Sequence, residues 1–234
     1  MFDWFLDILQ ETGATLRLPV SFVVIEFIGT FAFAISGVRL SSAKQFDIFG
    51  AWIVGMATAI GGGTLRDLLL DVPPFWMANS SYCICCALAV VWVMVFGKYL
   101  IRQDNTWFLF DTIGLALFNV IGIEKTLALG LPAWTAVAMG CITGAAGGVI
   151  RDVLINEVPL IFRKEIYAMA CAAGGLLWYA LYWCGVEDPY VRYIAAVLAI
   201  FALRALAIKY HLGVPVLTGR GKHIHMHHKP EKKK

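Results

Sequence analysis

The chain has 234 residues, of which 60% are hydrophobic and 15% are charged, and its formal net charge at pH 7 is +3. Soluble domains carry about 25% charged residues and about 45–50% apolar ones, so this composition excludes a soluble globular domain. It predicts an integral membrane protein that has membrane lipids, and no nucleic acid, as partners.

The N-terminal segment, residues 1–19, begins with an amphipathic pattern. Phe2, Phe5, Leu6 and Leu9 fall on one face at helical spacing. This pattern predicts a short helix that lies in the membrane interface, with a disordered start as the alternative.

Seven apolar stretches follow, each close to the length of about 20 residues that a helix needs to cross the hydrocarbon core. They cover residues 20–38, 46–70, 82–101, 106–123, 132–156, 166–185 and 190–208. The connections between them are short, which predicts one helical bundle. A basic tail over residues 209–234 completes the chain.

Lysine and arginine predict the orientation of these spans, because they concentrate on the cytoplasmic side of a membrane. With the N-terminus outside, the inner segments hold thirteen of the nineteen basic residues and the outer segments hold three. We therefore predict an inner (cell) membrane protein of a bacterium or archaeon, with the N-terminus outside and the C-terminus in the cytoplasm.

Two stretches of the chain nearly repeat one another. TAIGGGTLRDLL covers residues 58–69 and TGAAGGVIRDVL covers residues 143–154, so that their Arg-Asp pairs are 85 positions apart. The same offset relates further pairs, namely Glu26 and Asp111, Gly29 and Gly114, Gly37 and Gly122, Gly55 and Gly140, Gly62 and Gly147, and Gly63 and Gly148. This agreement indicates an internal duplication.

Each copy holds three predicted spans. Because three is odd, the second copy enters the membrane from the opposite side, and the copies become inverted repeats. The predicted fold class is therefore all-α integral membrane with seven transmembrane helices. Residues 20–101 form the first three-helix repeat, residues 106–185 form the second, inverted repeat, and residues 190–208 form the seventh helix.

Glycines in the second and fifth spans are the first candidate functional residues: Gly61, Gly62, Gly63, Gly147 and Gly148. Glycine weakens a helix by about 1 kcal/mol relative to alanine, which favours a kink or local unwinding. Carbonyl groups freed there are tolerated where they face protein or water, and they can coordinate cations. The alternative is that small residues let two helices pack closely.

Charged residues inside the spans are the second group of candidates. Charge within a membrane is costly and usually functional, so Arg66, Asp67, Arg151 and Asp152 are expected to shape or gate a pore. Adjacent residues point about 100° apart on a helix, so each arginine is not expected to pair with the aspartate beside it. Depth in the membrane instead predicts pairs within each repeat, Glu26–Arg66 and Asp111–Arg151. Snorkelling of the arginines to the headgroups is the alternative.

Other chemistry finds little support in the sequence. GGGTLRD lacks the lysine and Ser/Thr that follow the glycines of a phosphate-binding loop. The spans contain no histidine and no cluster with the spacing of metal ligands. We therefore expect no enzyme, no cofactor and no metal site.

The doubled motif resembles that of the prokaryotic TRIC family, the trimeric intracellular cation channels. The resemblance rests on GGGTLRD and AGGVIRD and covers about residues 20–208. It implies seven spans in two inverted repeats and a homotrimer. It also implies a pore in each protomer that is lined by kinked second and fifth helices. This pore would conduct potassium and other monovalent cations, so that potassium or sodium is expected as the permeant ion.

The resemblance leaves open the role of Lys125 and the choice between two kinds of transport. Animal members carry a Lys-Glu-Val motif at the fourth span, where this chain has GIEK, and this makes Lys125 a candidate for contact with a lipid or with the gate. Some bacterial relatives have been named glycine transporters. A secondary transporter of a small solute such as glycine is therefore the alternative to a channel, since inverted repeats suit both.

Overall fold

The structure is a computed structural model that describes residues 20–101, 106–164, 166–210 and 212–213. The interfacial helix predicted over residues 1–19 lies outside the described residues. The same is true of the basic tail beyond residue 213. The fold of the described part is all-helical, as predicted.

Seven long helices make up the described bundle. They are α1 (Val20–Ala43), α2 (Ile48–Leu69), α3 (Ser81–Ile101), α4 (Thr106–Ala128), α5 (Ala133–Leu154), α6 (Ala168–Trp183) and α7 (Pro189–Lys209). Two short helical turns, Phe75–Ala78 and Leu160–Phe162, follow α2 and α5.

The first and fourth helices are longer than their apolar stretches. They continue to Ala43 and Ala128, five residues beyond the predicted ends at 38 and 123. The predicted ends stopped where polar residues begin, but backbone hydrogen bonds continue a helix whatever the side-chain polarity. The next helix, α2, is capped by Asp47, whose carboxylate accepts a hydrogen bond from the Gly50 backbone nitrogen at 2.6 Å.

Five of the described helices are long and apolar enough to cross a membrane, namely α1, α2, α4, α5 and α7. The other two hold shorter apolar segments, Ser81–Gly97 in α3 and Ala168–Trp183 in α6. A helix of 16 residues is about 24 Å long, slightly less than the hydrocarbon thickness. The protein therefore belongs in a membrane, and seven crossings remain a prediction.

The packing places α1 and α4 in the centre of the bundle. These two helices contact each other, and each packs against the next helix in the chain, α2 or α5. Helix α3 covers the first half on α1 and α2, whereas α6 and α7 cover the second half on α5 and α4. The pair α2 and α5 closes the centre by packing against each other.

The ends of α2 and α5 have the same local structure. The residues after them, Asp71 and Asn156, both have φ of 56°, a left-handed conformation that aspartate and asparagine adopt more readily than most residues. In both turns the backbone folds back onto the aspartate of the Arg-Asp motif. The Val72 nitrogen donates to the Asp67 carbonyl at 2.9 Å, and the Glu157 nitrogen to the Asp152 carbonyl at 2.8 Å.

Candidate functional site: two buried charge clusters

The motif glycines lie inside uninterrupted helices. Both α2 and α5 keep α-helical structure through Gly61–Gly63 and Gly147–Gly148, so the predicted local unwinding is wrong, whereas a kink at these glycines stays a prediction. A Cβ atom placed on Gly62 would come within 3.0 Å of the Thr143 carbonyl oxygen, a distance that real Cβ atoms essentially never show. The glycines are therefore needed for close packing, which was the alternative reading.

The close approach is reciprocal. A Cβ on Gly147 would overlap the Thr58 carbonyl oxygen, just as a Cβ on Gly62 would overlap that of Thr143. Since 58 corresponds to 143 and 62 to 147, each contact is the copy of the other at the 85-residue offset. We call this contact between α2 and α5 the glycine crossing.

One group of buried charges lies beside the end of α2, and we call it the Glu26 cluster: Glu26, Arg66, Asp67 and Lys125. The Lys125 ammonium lies 2.6 Å from one oxygen of Glu26, and Tyr82 donates to the other at 2.8 Å. The Arg66 Nε donates to Asp67 at 2.7 Å. Both cations also face the ring of Phe75, at 4.9 Å for Lys125 and 5.7 Å for Arg66.

The equivalent group beside the end of α5 is the Asp111 cluster: Asp111, Arg151, Asp152 and Arg204. Asp111 lies between two guanidinium groups, with Arg151 Nη1 at 2.5 Å and Arg204 Nη1 at 2.6 Å. Arg151 also donates to Asp152 at 2.9 Å and to the Ser36 hydroxyl at 2.9 Å. The arginine of α5 thereby connects three helices, α1, α4 and α5.

Each cluster contains two carboxylates and two cations. The first cation in each is the motif arginine, but the second has a different source. It is Lys125 of α4 in the Glu26 cluster and Arg204 of α7 in the Asp111 cluster. All eight side chains are buried. Because burial of an unpaired charge is very costly, this balance is what allows four charges to sit within each half of the bundle.

One of the two predicted ion pairs is correct. Asp111–Arg151 is confirmed, whereas Glu26–Arg66 is wrong because Lys125 binds Glu26 directly. The expectation that neighbouring motif residues do not pair is also wrong. Arg66 contacts Asp67 at 2.5 Å, and Arg151 contacts Asp152 at 2.9 Å.

The reason is the length of the arginine side chain, which bends round the helix surface toward the next residue. Each aspartate is also held in place from its other side, because the Phe75 nitrogen donates to Asp67 at 2.9 Å and the Leu160 nitrogen donates to Asp152 at 3.0 Å. Snorkelling is excluded for both motif arginines, whose side chains are 0% exposed.

The environment of Lys125 differs from the lipid contact that was expected for this residue. Its side chain is 4% exposed and lies against Glu26 and the Phe75 ring. Lys125 is therefore an internal counter-ion in this structure, and the prediction that this residue contacts lipid is wrong.

Sequence reasoning missed several members of the clusters. Tyr82 and Tyr167 are 85 positions apart and both are buried beside the acidic residues, so the repeat itself could have identified them. Two further arginines lie within the predicted seventh span, Arg192 close to its start and Arg204, which could have been found in this way. The Arg204 guanidinium also lies over the rings of Phe108 and Tyr167, at 4.1 and 4.8 Å.

A separate ion pair joins two connections at the surface. Lys44, after α1, contacts Glu157, after α5, at 2.6 Å, and Arg163 contacts the other oxygen of Glu157 at 3.2 Å. The hydrogen bond from Lys44 lowers the pKa of the Glu157 carboxyl, so this acid stays ionised at neutral pH. The C-terminal ends of α1 and α5 therefore lie at the same end of the bundle.

Comparison with known proteins supports the duplication. The model of a protein family described as glycine transporter matches the chain twice, over residues 23–98 and 108–183. The two matched segments are of equal length and begin 85 positions apart, the same offset that relates the two clusters.

Curated relatives match most of the chain. A UPF0126 membrane protein of Vibrio cholerae is 38% identical over 83% of this chain and 82% of its own length. The UPF0126 inner membrane protein YadS of Escherichia coli K12 is 37% identical over 83% of this chain and 95% of its own.

A solved structure decides the family. The TRIC trimeric intracellular cation channel orthologue from Rhodobacter sphaeroides superposes with a TM-score of 0.78 and 32% identity, covering 83% of this chain and 100% of that one. The chain belongs to the prokaryotic TRIC family. This TRIC family member therefore holds its motif arginines in buried, charge-balanced clusters.

Proposed function

We propose that the protein is a homotrimeric membrane channel that conducts monovalent cations, chiefly potassium, through a pore in each protomer. The observation that carries this proposal is the pair of buried, charge-balanced clusters in apolar helices. Charged residues within a membrane are rare and mark ion or substrate pathways. The protein is not an enzyme, since its solved relatives are channels.

We place the pore between α2 and α5, with the Glu26 cluster towards one end and the Asp111 cluster towards the other. The glycine crossing between them is the constriction. The crossing has no room for a Cβ. A pore along it would therefore be closed in this conformation, and conduction would require α2 and α5 to separate there. The motif glycines, together with Lys125 and the other cluster residues, set the width of the pore and its gate.

Two hydrogen-bond donors that lack a partner among the described residues are consistent with this path. Arg66 Nη1 and Arg204 Nε are buried and have no hydrogen-bond partner among the described residues. Buried polar groups are normally hydrogen-bonded, and water is a common partner where the protein supplies none. A water-filled pathway past both clusters would satisfy these donors and would hydrate a passing cation.

The inverted architecture of the repeats is supported by the glycine crossing. Gly62 meets Thr143 and Thr58 meets Gly147, so the two helices run antiparallel at their contact. A contact that maps onto itself when the halves are exchanged is the signature of a two-fold axis. We expect residues 24–73 and 109–159 to superpose after a rotation of about 180° about an axis in the membrane plane.

Single-channel recording of the purified protein in planar bilayers tests the proposed function. A channel gives unitary currents whose reversal potential follows the potassium gradient. The second candidate function is a secondary transporter of glycine, which the description of the family model favours. Saturable glycine uptake into proteoliposomes, without unitary currents, would mean that the protein is such a carrier and not a channel.

Arg151→Ala should change gating or folding strongly while leaving the discrimination among monovalent cations nearly unchanged. The substitution removes the link between α1, α4 and α5 and leaves Asp152 without its cation. Breaking a buried ion pair costs about 3–5 kcal/mol. Open probability and reversal potentials in mixed potassium and sodium solutions measure the two effects.

Arg163→Ala is the matched control for Arg151→Ala, because Arg163 belongs to the exposed pair with Glu157. Normal gating of Arg151→Ala with altered cation selectivity would place Arg151 in the selectivity filter and contradict its proposed role.

The orientation can be tested with fusions to the C-terminus. A green fluorescent protein fused there should fluoresce and an alkaline phosphatase should be inactive, because the former folds in the cytoplasm and the latter outside it. The prediction follows from the excess of basic residues in the inner segments. An active phosphatase fusion would reverse the proposed topology, which has the N-terminus outside.

The trimer is proposed from the family alone. The relative from Rhodobacter sphaeroides is described as trimeric, and it covers most of this chain. The mass of the detergent-solubilised protein, measured by light scattering, should correspond to three protomers. A mass of one or two protomers would contradict the proposal.

A further inference from the structure

A cavity of about 280 Å³ opens between the end of α1, the start of α2 and the end of α3. We call it the α1–α3 groove. Its wall is mostly apolar, and its members include Val38, Arg39, Asp47, Val90, Val93 and Gly97. A Cβ on Gly97 would meet no atom of the described residues within 4 Å, so those residues leave room for a side chain here.

The equivalent position in the second half of the molecule is filled. At the 85-residue offset, Val93 corresponds to Trp178 and Gly97 to Tyr182. Trp178 is fully buried and stacks on Tyr182, with ring centroids 5.7 Å apart, and on Tyr193 of α7, at 6.2 Å. Large aromatic side chains and α7 thus occupy the space that the described residues leave open in the first half.

The groove and its filled counterpart also differ in charge. Arg39 corresponds to Glu124, which accepts a hydrogen bond from Tyr193 of α7. The part of the chain that the structure describes offers Arg39 no ion pair, and its buried Nε has no hydrogen-bond partner there. The carboxylate of Asp47, which also lines the groove, caps α2 and forms no ion pair with Arg39. The groove therefore presents an apolar wall beside a guanidinium that has no ion-pair partner among the described residues.

We propose that an anionic phospholipid occupies the α1–α3 groove, with its phosphate on Arg39 and an acyl chain along Val90, Val93 and Gly97. Arg39 lies four residues before the end of α1, about 6 Å from it, which is the depth of lipid headgroups. The charge bias predicts that this end faces the cytoplasm, where anionic lipid meets basic pockets between helices. The site exists whether the protein is a channel or a carrier.

A lipid fits the groove better than a second helix does. The helix that covers the equivalent position, α7, buries aromatic and aliphatic side chains and brings Tyr193 to an acidic residue. A guanidinium instead calls for an anion, and it binds phosphate through paired hydrogen bonds. The phospholipid would therefore occupy, in the first half of the molecule, the position that α7 occupies in the second half.

Native mass spectrometry of the intact protein, titrated with phosphatidylglycerol, tests the site. We expect Arg39→Gln to weaken retention of the lipid about tenfold, as expected for the loss of one charge-assisted hydrogen bond. Gly97→Tyr, which introduces the residue of the filled half, should abolish it. Lys209→Gln, which removes an exposed charge at the end of α7, is the control and should retain the lipid.

Three results would overturn the proposal. One is lipid retention by both groove variants at the level of the control. Another is equal retention of phosphatidylcholine, because Arg39 would then not select an anion. The third is a loss of protomer–protomer association in Gly97→Tyr while lipid stays bound, which would assign the groove to a second copy. If Gly97→Tyr does not fold, Gly97→Leu fills the same space with a smaller side chain.

Discussion

Gly62→Leu should lower the stability of the protein by about 3 kcal/mol or more and should be the most damaging single substitution at the glycine crossing. A Cβ at this position would overlap the Thr143 carbonyl oxygen, and a backbone atom can move away only if α2 and α5 separate along their contact. Overpacking of a close-packed interior costs about 1–3 kcal/mol even where side chains can adjust. The midpoint of thermal unfolding in detergent measures the effect.

Gly97→Leu is the matched control, since the same change at that position places the new side chain where no atom of the described residues lies within 4 Å of its Cβ. It should leave the midpoint unchanged or raise it, because leucine favours a helix over glycine by somewhat less than about 1 kcal/mol. Gly147→Leu should behave like Gly62→Leu, because the two glycines occupy equivalent sites. Equal midpoints for Gly62→Leu and Gly97→Leu would show that the crossing is not tightly packed.

Asp111→Asn should have the largest effect of any charge neutralisation in the bundle, about 3–5 kcal/mol of stability. Asp111 is the shared partner of Arg151 and Arg204, all three are at most 1% exposed, and its loss leaves two guanidinium groups with one remaining acid, Asp152. The yield of folded protein and its thermal midpoint measure the loss.

The double variant Asp111→Asn with Arg204→Gln restores the balance of charge and should recover much of the stability. Such non-additivity is expected for residues in direct contact. Glu157→Gln is the control, because the same kind of change in the exposed pair with Lys44 should have little effect. A double variant as unstable as the sum of its parts would mean that charge balance is not what stabilises the Asp111 cluster.

The prediction for Gly62 depends on a property that the sequence does not contain. The repeat identified Gly62 and Gly147 as equivalent residues, but their role depended on whether a neighbouring helix approaches them. Nothing in the local pattern states the distance between two helices. A run of glycines is compatible with a broken helix and with a close crossing, and only the position of the Thr143 and Thr58 carbonyl groups decides between them.

Composition and periodicity by themselves determined that this is a helical membrane protein, where its apolar stretches lie, and that its two halves are copies. These properties follow from short-range rules, since the cost of placing polar groups in lipid acts on each segment separately. The offset of 85 residues also identified Glu26 and Asp111, and Arg66 and Arg151, as equivalent charges.

Apart from Asp111–Arg151, which depth in the membrane predicted, the tertiary structure decided which charges pair. Lys125 reaches Glu26 from the other half of the molecule, and Arg204 reaches Asp111 from a helix outside the repeat, so neither contact obeys the symmetry of the sequence. Long cationic side chains can reach partners on several helices, and the rotation and spacing of those helices select among them. The partner of a buried charge is therefore a property of the packed bundle, because it minimises the electrostatic energy of the whole cluster and not that of one segment.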